Sequence, residues 1–366
     1  MIINRTPFRI SFLGGGTDYP LWYLKNGGSV LSTSIDKYCY ITCRTLPPFF
    51  EHRIRVVYAW TEECKTVDEI HHPAVREVLK FLKIEKGLEL HHDGDLPARS
   101  GIGSSSSFTV GLLHSLYAYQ GIMPSKKQLA EESIYIEQEM IKENVGSQDQ
   151  VCAAYGGLNR IDFSTKGEVQ VQPLTISTER KNQFNDHLML FYTGVKRTAS
   201  EIAKGYSKDI SDKEKILTKM QAMVSCGVDI LNGAKDIREF GELLHESWKL
   251  KKQVACGVSN DHIDNLYLKA VNNGAIGGKI TGAGGGGFLL LFVEPKKQAK
   301  VREVLSQYIH VPFRFEHSGS QIIFYEPDKV DYSEAEKDRA DREIIAFREL
   351  ENVKRIPEPK LDIRSF

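Results

Sequence analysis

The stretch Asp95–Phe108, DLPARSGIGSSSSF, sets glycines and serines directly ahead of a helical run that ends at Gly121. In that order, free backbone N–H groups and the positive end of a helix dipole converge on Gly103 to Ser106, as in a phosphate cradle. The serine hydroxyls add donors and a Mg²⁺ ligand. A Ser-rich cap on a purely structural helix accounts for one serine well and four in a row badly.

A second glycine-rich stretch competes for that role. In Lys279–Phe292, KITGAGGGGFLLLF, five of the six residues from Gly282 to Gly287 are glycine, and Gly282-x-Gly284-x-x-Gly287 satisfies the dinucleotide fingerprint literally. That fingerprint has to follow a strand and open a helix, because the helix N-terminus holds the pyrophosphate. Here the glycines follow a helix-like segment and run into the strand Phe288–Val293, so a dinucleotide-dependent oxidoreductase is rejected. Gly277-Gly278-Lys279 lacks the earlier glycine of a Walker loop, and the VAIK, HRD and DFG elements of protein kinases are missing. The glycines read instead as a close-approach surface, pressing Gly284 and Gly285 toward the cradle where a Cβ would intrude.

Composition narrows the class further. The 366 residues suffice for two domains, and 48 basic residues balance 48 acidic ones, which leaves no net field for a nucleic acid. The longest apolar run, Phe288–Val293, falls far short of the roughly 20 residues of a membrane span, and MIINRTPFRI looks like a first strand rather than a signal peptide. A cytoplasmic protein with neither nucleic-acid nor membrane partners is expected. The six cysteines lack CxxC spacing, and the His71-His72 and His91-His92 pairs are poor chelates because adjacent side chains point apart.

Strand-like runs cover 2–13, 29–44, 53–59, 157–163 and 187–193; helix-like ones cover 104–120, 125–142, 211–231, 237–252 and 262–272. The expected class is α+β, with an N-terminal domain at 1–190, a C-terminal domain at 191–326 and a charged helical tail at 327–366. The tail's Ser333-x-x-Glu336 could cap a helix to about Lys354, and its apolar stripe suggests docking on the body or on a partner chain, such as a homodimer.

The helix opened by Ser125 and Gln128 carries Leu129, Ser133, Ile134, Ile136, Met140 and Ile141 on one stripe, with Glu137 in its middle. A carboxylate there needs a partner: a bound cation, or a buried lysine or arginine. Twelve residues on, Asp149 in Gly146-Ser-Gln-Asp-Gln150 is either a cap or a general base.

Three stretches, RTPFRISFLGGGTD (Arg5 to Asp18), LPARSGIGSSSS (Leu96 to Ser107) and KITGAGGGGF (Lys279 to Phe288), together with GSQDQ, resemble the signature motifs of the GHMP small-molecule kinases. The resemblance implies a two-domain fold, N-terminal ribosomal protein S5 domain 2-like and C-terminal ferredoxin-like, with the site between. It implies ATP and Mg²⁺: Leu96, Pro97, Arg99, Ser100, Gly101, Gly103, Ser104, Ser105 and Ser106 cradle the phosphates, and Ser105 and Glu137 hold the metal. Asp149 matches the catalytic base of galactokinase-like members, and Arg9 the basic residue beside it. Gly15, Gly16, Thr17 and Asp18 fall at the sugar, where galactokinase has Glu-His for Gly15-Gly16.

Within the family the chain most resembles heptose 7-phosphate kinases, which share the segments read here as FYTGVKRTA (Phe191 to Ala199) and SNDHID (Ser259 to Asp264). That implies phosphorylation of the anomeric hydroxyl of D-glycero-D-manno-heptose 7-phosphate, for nucleotide-activated heptose and surface polysaccharide synthesis. Arg197, Lys249 and Lys252 are candidates for a distal phosphate. An L-fucokinase or another sugar-1-kinase is the alternative, and a non-catalytic sugar sensor a remote one, which the presence of Ser105, Glu137 and Asp149 disfavours.

Overall fold

Twelve residues, Ile2–Leu13, form the strand β1, whose Ile2, Phe8, Ile10, Phe12 and Leu13 are buried. From Thr6 onward both faces are covered, as expected of a strand inside a sheet. The computed structural model, which describes residues 1–194, 213–255, 257–327, 332 and 334, sets β1 between β2 (Gly28–Thr45) and β13 (Gln321–Tyr325), antiparallel to both. At 18 residues β2 serves several partners. Its first third pairs with β6 (Leu158–Phe163), Ile35 and Ser34 pair with β12 (Phe315–Glu316), and Cys39–Thr45 pairs with β5 (Leu88–Gly94). Next, β3 (Ile54–Val57) runs parallel to β5 and pairs with β4 (Thr61–Cys64), while β7 (Val169–Pro173) flanks β6.

A second, antiparallel sheet has the order β11 (Ile309–His310), β8 (Leu188–Tyr192), β10 (Phe288–Val293), β9 (Ala275–Ile280). The sheets do not part at one point of the chain. The second sheet begins at Leu188, inside the expected N-terminal segment, and β12 and β13 return to the first sheet from the expected C-terminal one. The expectation that the glycines directly follow a helix is corrected: β9 intervenes, so they form the turn of a β9–β10 hairpin. AIGGKI hides this strand because its glycines have no side chain to mark a pattern. No helix opens after the turn, so the fingerprint is still refused. The expected tail helix and Arg197 lie outside the described residues.

After α1 (Pro20–Asn26) and α2 (Pro73–Leu82), the helices α3 (Ser104–Tyr119) and α4 (Lys126–Tyr135) stand close to the anticipated positions, whereas α5 (Gln148–Tyr155) forms where the sequence reads as a loop. Ser125 accepts from the Gln128 N–H at 3.1 Å, but the Gln128 side chain turns to Tyr117 and Glu132, so half of the capping box forms.

The two sheets share one aromatic core. Phe12 of β1 lies 5.0 Å from Phe184 of α6 (Thr178–Asp186) and 5.8 Å from Phe240 of the helix Arg238–Val254. Phe240 reaches Phe292 of the second sheet at 6.3 Å, and Phe184 reaches Phe315 at 5.5 Å. Rings at these separations add to burial of their area. Truncating the central ring, Phe184→Ala, is therefore expected to cost about 3–5 kcal/mol in denaturant unfolding. Loss of both halves in one transition is expected; two separate transitions would show that the domains do not share a core.

Candidate active site

The cradle lies between β5 and α3. Gly103 takes φ +74° at the N-cap of α3 and offers no side chain to its free N–H groups, leaving the first turn open to an anion. The loop before it is fixed from within: the Ser100 hydroxyl donates to Pro97 O at 2.5 Å, and the Arg99 N–H to Ser104 Oγ at 3.2 Å.

Arg9 ties this loop to the next motif. Its Nε and Nη2 donate to the two carboxylate oxygens of Asp149, each at 2.7 Å, while Nη1 donates to Gly101 O at 2.7 Å. The backbone follows suit, with the Arg9 N–H donating to Ile102 O at 3.0 Å. Burial lowers the Arg9 pKa and the Asp149 charge more than reverses it, so the guanidinium stays charged. Asp149 sits in the first turn of α5 and keeps a quarter of its side chain exposed. A Cβ on Gly103 would lie 3.5 Å from Asp149 Oδ2, so the carboxylate is at the mouth of the cradle.

Asp18 is buried beside them. It accepts from the Gly16 N–H at 2.9 Å, and its own carbonyl accepts from Ser147 N at 2.9 Å, joining the first motif to GSQDQ. Burial raises its pKa first, and the nearby Asp149 charge second, against the backbone donors. Gly15 faces the gap between Ser11 and Gln148: a Cβ there would be 3.8 Å from Ser11 Oγ and 4.0 Å from Gln148 Nε2. Ser11 Oγ and Gln148 Oε1 are buried and hold no hydrogen bond, as befits groups that await ligand hydroxyls. Nothing in residue type distinguished these two in the sequence. Thr17 corrects the expectation: its hydroxyl is spent on Gly14 O and Ser29 O, so it builds the loop and does not face the ligand.

Glu137 is 1% exposed, as its place in the stripe predicts. A π-helical turn, Ile136–Met140, follows α4 and carries it. The partner differs from expectation. Ser106, not Ser105, donates to Glu137 Oε2 at 2.9 Å, joined by Gln150 Nε2 at 2.5 Å, and Ser105 is exposed on the open first turn. Glu137 Oε1 is buried without a hydrogen bond of normal geometry, although the Thr109 hydroxyl also favours the charged carboxylate, and among the described residues no lysine or arginine pairs with it. Such an orphan carboxylate oxygen suits a hard cation. Among the described residues no group of three or more His, Cys, Asp or Glu could hold a metal by itself, so phosphate oxygens would have to complete the shell.

The glycine hairpin closes the far side. A Cβ on Gly287 would fall 2.1 Å from Ser100 O, and one on Gly282 2.5 Å from the Gly101 Cα. Gly284 and Gly285 instead face Val258, whose carbonyl accepts from the Gly285 N–H at 2.8 Å. The pressing is therefore done by the two outer glycines. Lys249 pairs with Glu246 and Lys252 with Asp264 at the surface, so neither points to a distal phosphate. Asn260 of the SNDHID segment accepts from the Ile263 N–H at 3.0 Å as a helix cap.

An open helix N-terminus, a carboxylate held by an arginine at its mouth and an orphan carboxylate beside it define a small-molecule phosphotransferase. The GHMP kinases N terminal domain matches residues 69–157 and the GHMP kinases C terminal domain residues 228–310, and the chain belongs to the GHMP kinases. Enzymes of this family are ATP-dependent phosphotransferases with an alcohol group as acceptor. Among similar proteins, the D-glycero-alpha-D-manno-heptose 7-phosphate kinase of Campylobacter jejuni is 28% identical over 83% of this chain and 93% of its own length. The bifunctional fucokinase/GDP-fucose pyrophosphorylase of Arabidopsis thaliana is 24% identical over 82% of this chain, which spans 31% of that relative. A solved D-glycero-D-manno-heptose 1-phosphate kinase from Bacteriodes thetaiotaomicron shares the fold, with TM-score 0.73 and 22% identity over 89% of this chain and 100% of that one. Among the described residues no helix is long and apolar enough to cross a membrane.

Burial pushes the Glu137 carboxyl up to about 7, ahead of the hydrogen bonds that oppose it. A folded pKa above the unfolded value contributes stability at low pH that is lost as pH rises through about 7. Metal-free protein should therefore lose up to roughly 3 kcal/mol of unfolding free energy between pH 5 and 8 relative to Glu137→Gln. Denaturant curves of the two proteins at both pH values check this; a constant difference would contradict it.

Proposed function

We propose that the chain transfers the γ-phosphoryl group of ATP to the anomeric hydroxyl of D-glycero-D-manno-heptose 7-phosphate, giving the 1,7-bisphosphate, in the cytoplasm. The observation that carries the reaction type is the Asp149 carboxylate, held by both ends on Arg9 at the mouth of the open α3 turn. Similarity to the Campylobacter jejuni enzyme over nearly its full length supports the heptose phosphate. The room at Gly15, lined by unpartnered Ser11 and Gln148, supports a bulky polyhydroxylated acceptor.

In this reading Asp149 takes the proton from the anomeric hydroxyl as its oxygen attacks the γ-phosphorus and the bond to the bridging oxygen of ADP breaks. Arg9 fixes the direction of that carboxylate and steadies charge at the cradle through Gly101. The N–H groups of Ser104, Ser105 and Ser106 bind the phosphate oxygens, and Asp18, Ser11 and Gln148 orient the sugar. Glu137 and Ser105 would hold Mg²⁺, which when bound neutralises phosphate charge. Outer glycines Gly282 and Gly287 bring the hairpin backbone to the cradle and exclude water.

An L-fucokinase-type reaction is the second reading, favoured by the similarity to the plant enzyme. ADP release across a panel of heptoses and hexoses, each with and without a terminal phosphate, separates the two. Heptose 7-phosphate should give the highest kcat/KM; equal rates on free heptose, or a preference for L-fucose, would overturn the substrate assignment. Asp149→Asn should lower kcat by about 10²- to 10⁴-fold with the fold intact. Near-normal turnover in that variant would exclude base catalysis.

A further inference from the structure

Two lysines behind the cleft are unaccounted for by the reaction. Lys251 of the helix Arg238–Val254 and Lys279 of β9 are 3% and 2% exposed. Among the described residues neither forms an ion pair with a carboxylate, and the hydrogen bonds of both amines go to backbone carbonyls. Lys251 Nζ donates to Ile280 O at 3.1 Å and to Gly282 O, both on the glycine hairpin. Lys279 Nζ donates to Phe12 O at 2.9 Å, one residue before the end of β1, which leads into the Gly14-Gly15-Gly16 loop. Each amine therefore ties one wall of the cleft, the hairpin or the sugar loop, to an element behind it.

The surroundings make these ammonium groups costly. Arg9 and Asp18 are the charged groups that act on both, and the lysines repel each other. Among the described residues three buried basic groups, Arg9, Lys251 and Lys279, thus stand beside two carboxylates, Asp18 and Asp149, and Asp149 is already committed to Arg9. A purely structural tie to a carbonyl needs no charge, and a neutral donor would serve at less cost. A surplus of buried positive charge becomes favourable when a polyanion occupies the other side of the wall.

We propose that Lys251 and Lys279 are positioning residues for phosphoryl transfer, which as ammonium groups hold the glycine hairpin and the end of β1 in register with the cradle and keep their protons when anionic substrates fill the cleft. This rests on the phosphotransfer reading. Burial is the first cause that lowers both amines, Lys279 to about 7 and Lys251 well below its ordinary value; repulsion from Arg9 adds to it and Asp18 opposes it. A folded pKa below the unfolded one means that the lysine destabilises the empty protein most below pH 7, and that this cost fades as pH rises toward 10.

The test compares wild type with Lys279→Met and Lys251→Met. In ligand-free thermal unfolding from pH 6.5 to 10, the Met variants should melt higher than wild type at pH 6.5 and converge with it near pH 10. In steady-state kinetics, kcat should fall on the order of 10- to 100-fold, KM for ATP should change little, and the alkaline decline of wild-type kcat/KM should disappear from Lys279→Met. The melting arm uses no substrate, so it stands even if the phosphotransfer reading fails. Wild-type kcat with an unchanged pH profile in both variants would overturn the proposal. So would a lower melting temperature at every pH with activity per folded molecule unchanged, which is the signature of a merely structural tie. If one variant does not fold, the other carries both readouts.

Discussion

The pairing of Arg9 with Asp149 joins the parts of this molecule that have to meet. Arg9 leaves β1 of the larger sheet, Asp149 the first turn of α5, and the third guanidinium nitrogen holds a carbonyl of the phosphate loop. A planar fork with a fixed spacing of donors can make all three bonds at once, which a lysine cannot. Removing one partner of such a pair leaves the other charge buried and unanswered, at a cost of about 3–5 kcal/mol. Strand, helix and loop are therefore fixed relative to one another before any ligand arrives, which is the condition for a reaction that consists mostly of positioning.

Around this pair glycine stands where backbones touch, and polar atoms without protein partners line the proposed cleft. The hairpin lies against Ser100 and Gly101 at distances that no Cβ allows. On the other side Ser11 Oγ, Gln148 Oε1 and Glu137 Oε1 are buried without hydrogen bonds of normal geometry. Each unpaired atom weakens the empty protein and is repaid by what fills the cleft. The shared aromatic core beneath, from Phe12 through Phe184 and Phe240 to Phe292, keeps the two walls from drifting apart.

Much of this was legible in the residue order. The strand at Phe288–Val293 announces itself through unbroken apolar content, and Glu137 betrays itself by falling on the apolar stripe of its helix. Where glycine replaces side chains, as in β9, periodicity has nothing to report. The return of β12 and β13 to the first sheet is a long-range pairing that local pattern does not encode. Which serine meets Glu137 depends on one turn of helix phase and on the π-helical turn, beyond what spacing resolves. Lys251 carries a signal in its spacing: it lies eleven residues after Phe240 and three after Trp248, on the buried face of its helix. Residue type works against that signal, because lysines are rarely buried.

The central claim is that Arg9 and Asp149 act as one unit in turnover. A double-mutant cycle with Arg9→Met, Asp149→Asn and the combined variant, read as kcat/KM for the sugar phosphate, measures it directly. The account predicts strong non-additivity, with the double variant within about threefold of the worse single one. Losses that simply multiply would contradict it and would mean that the two side chains contribute independently.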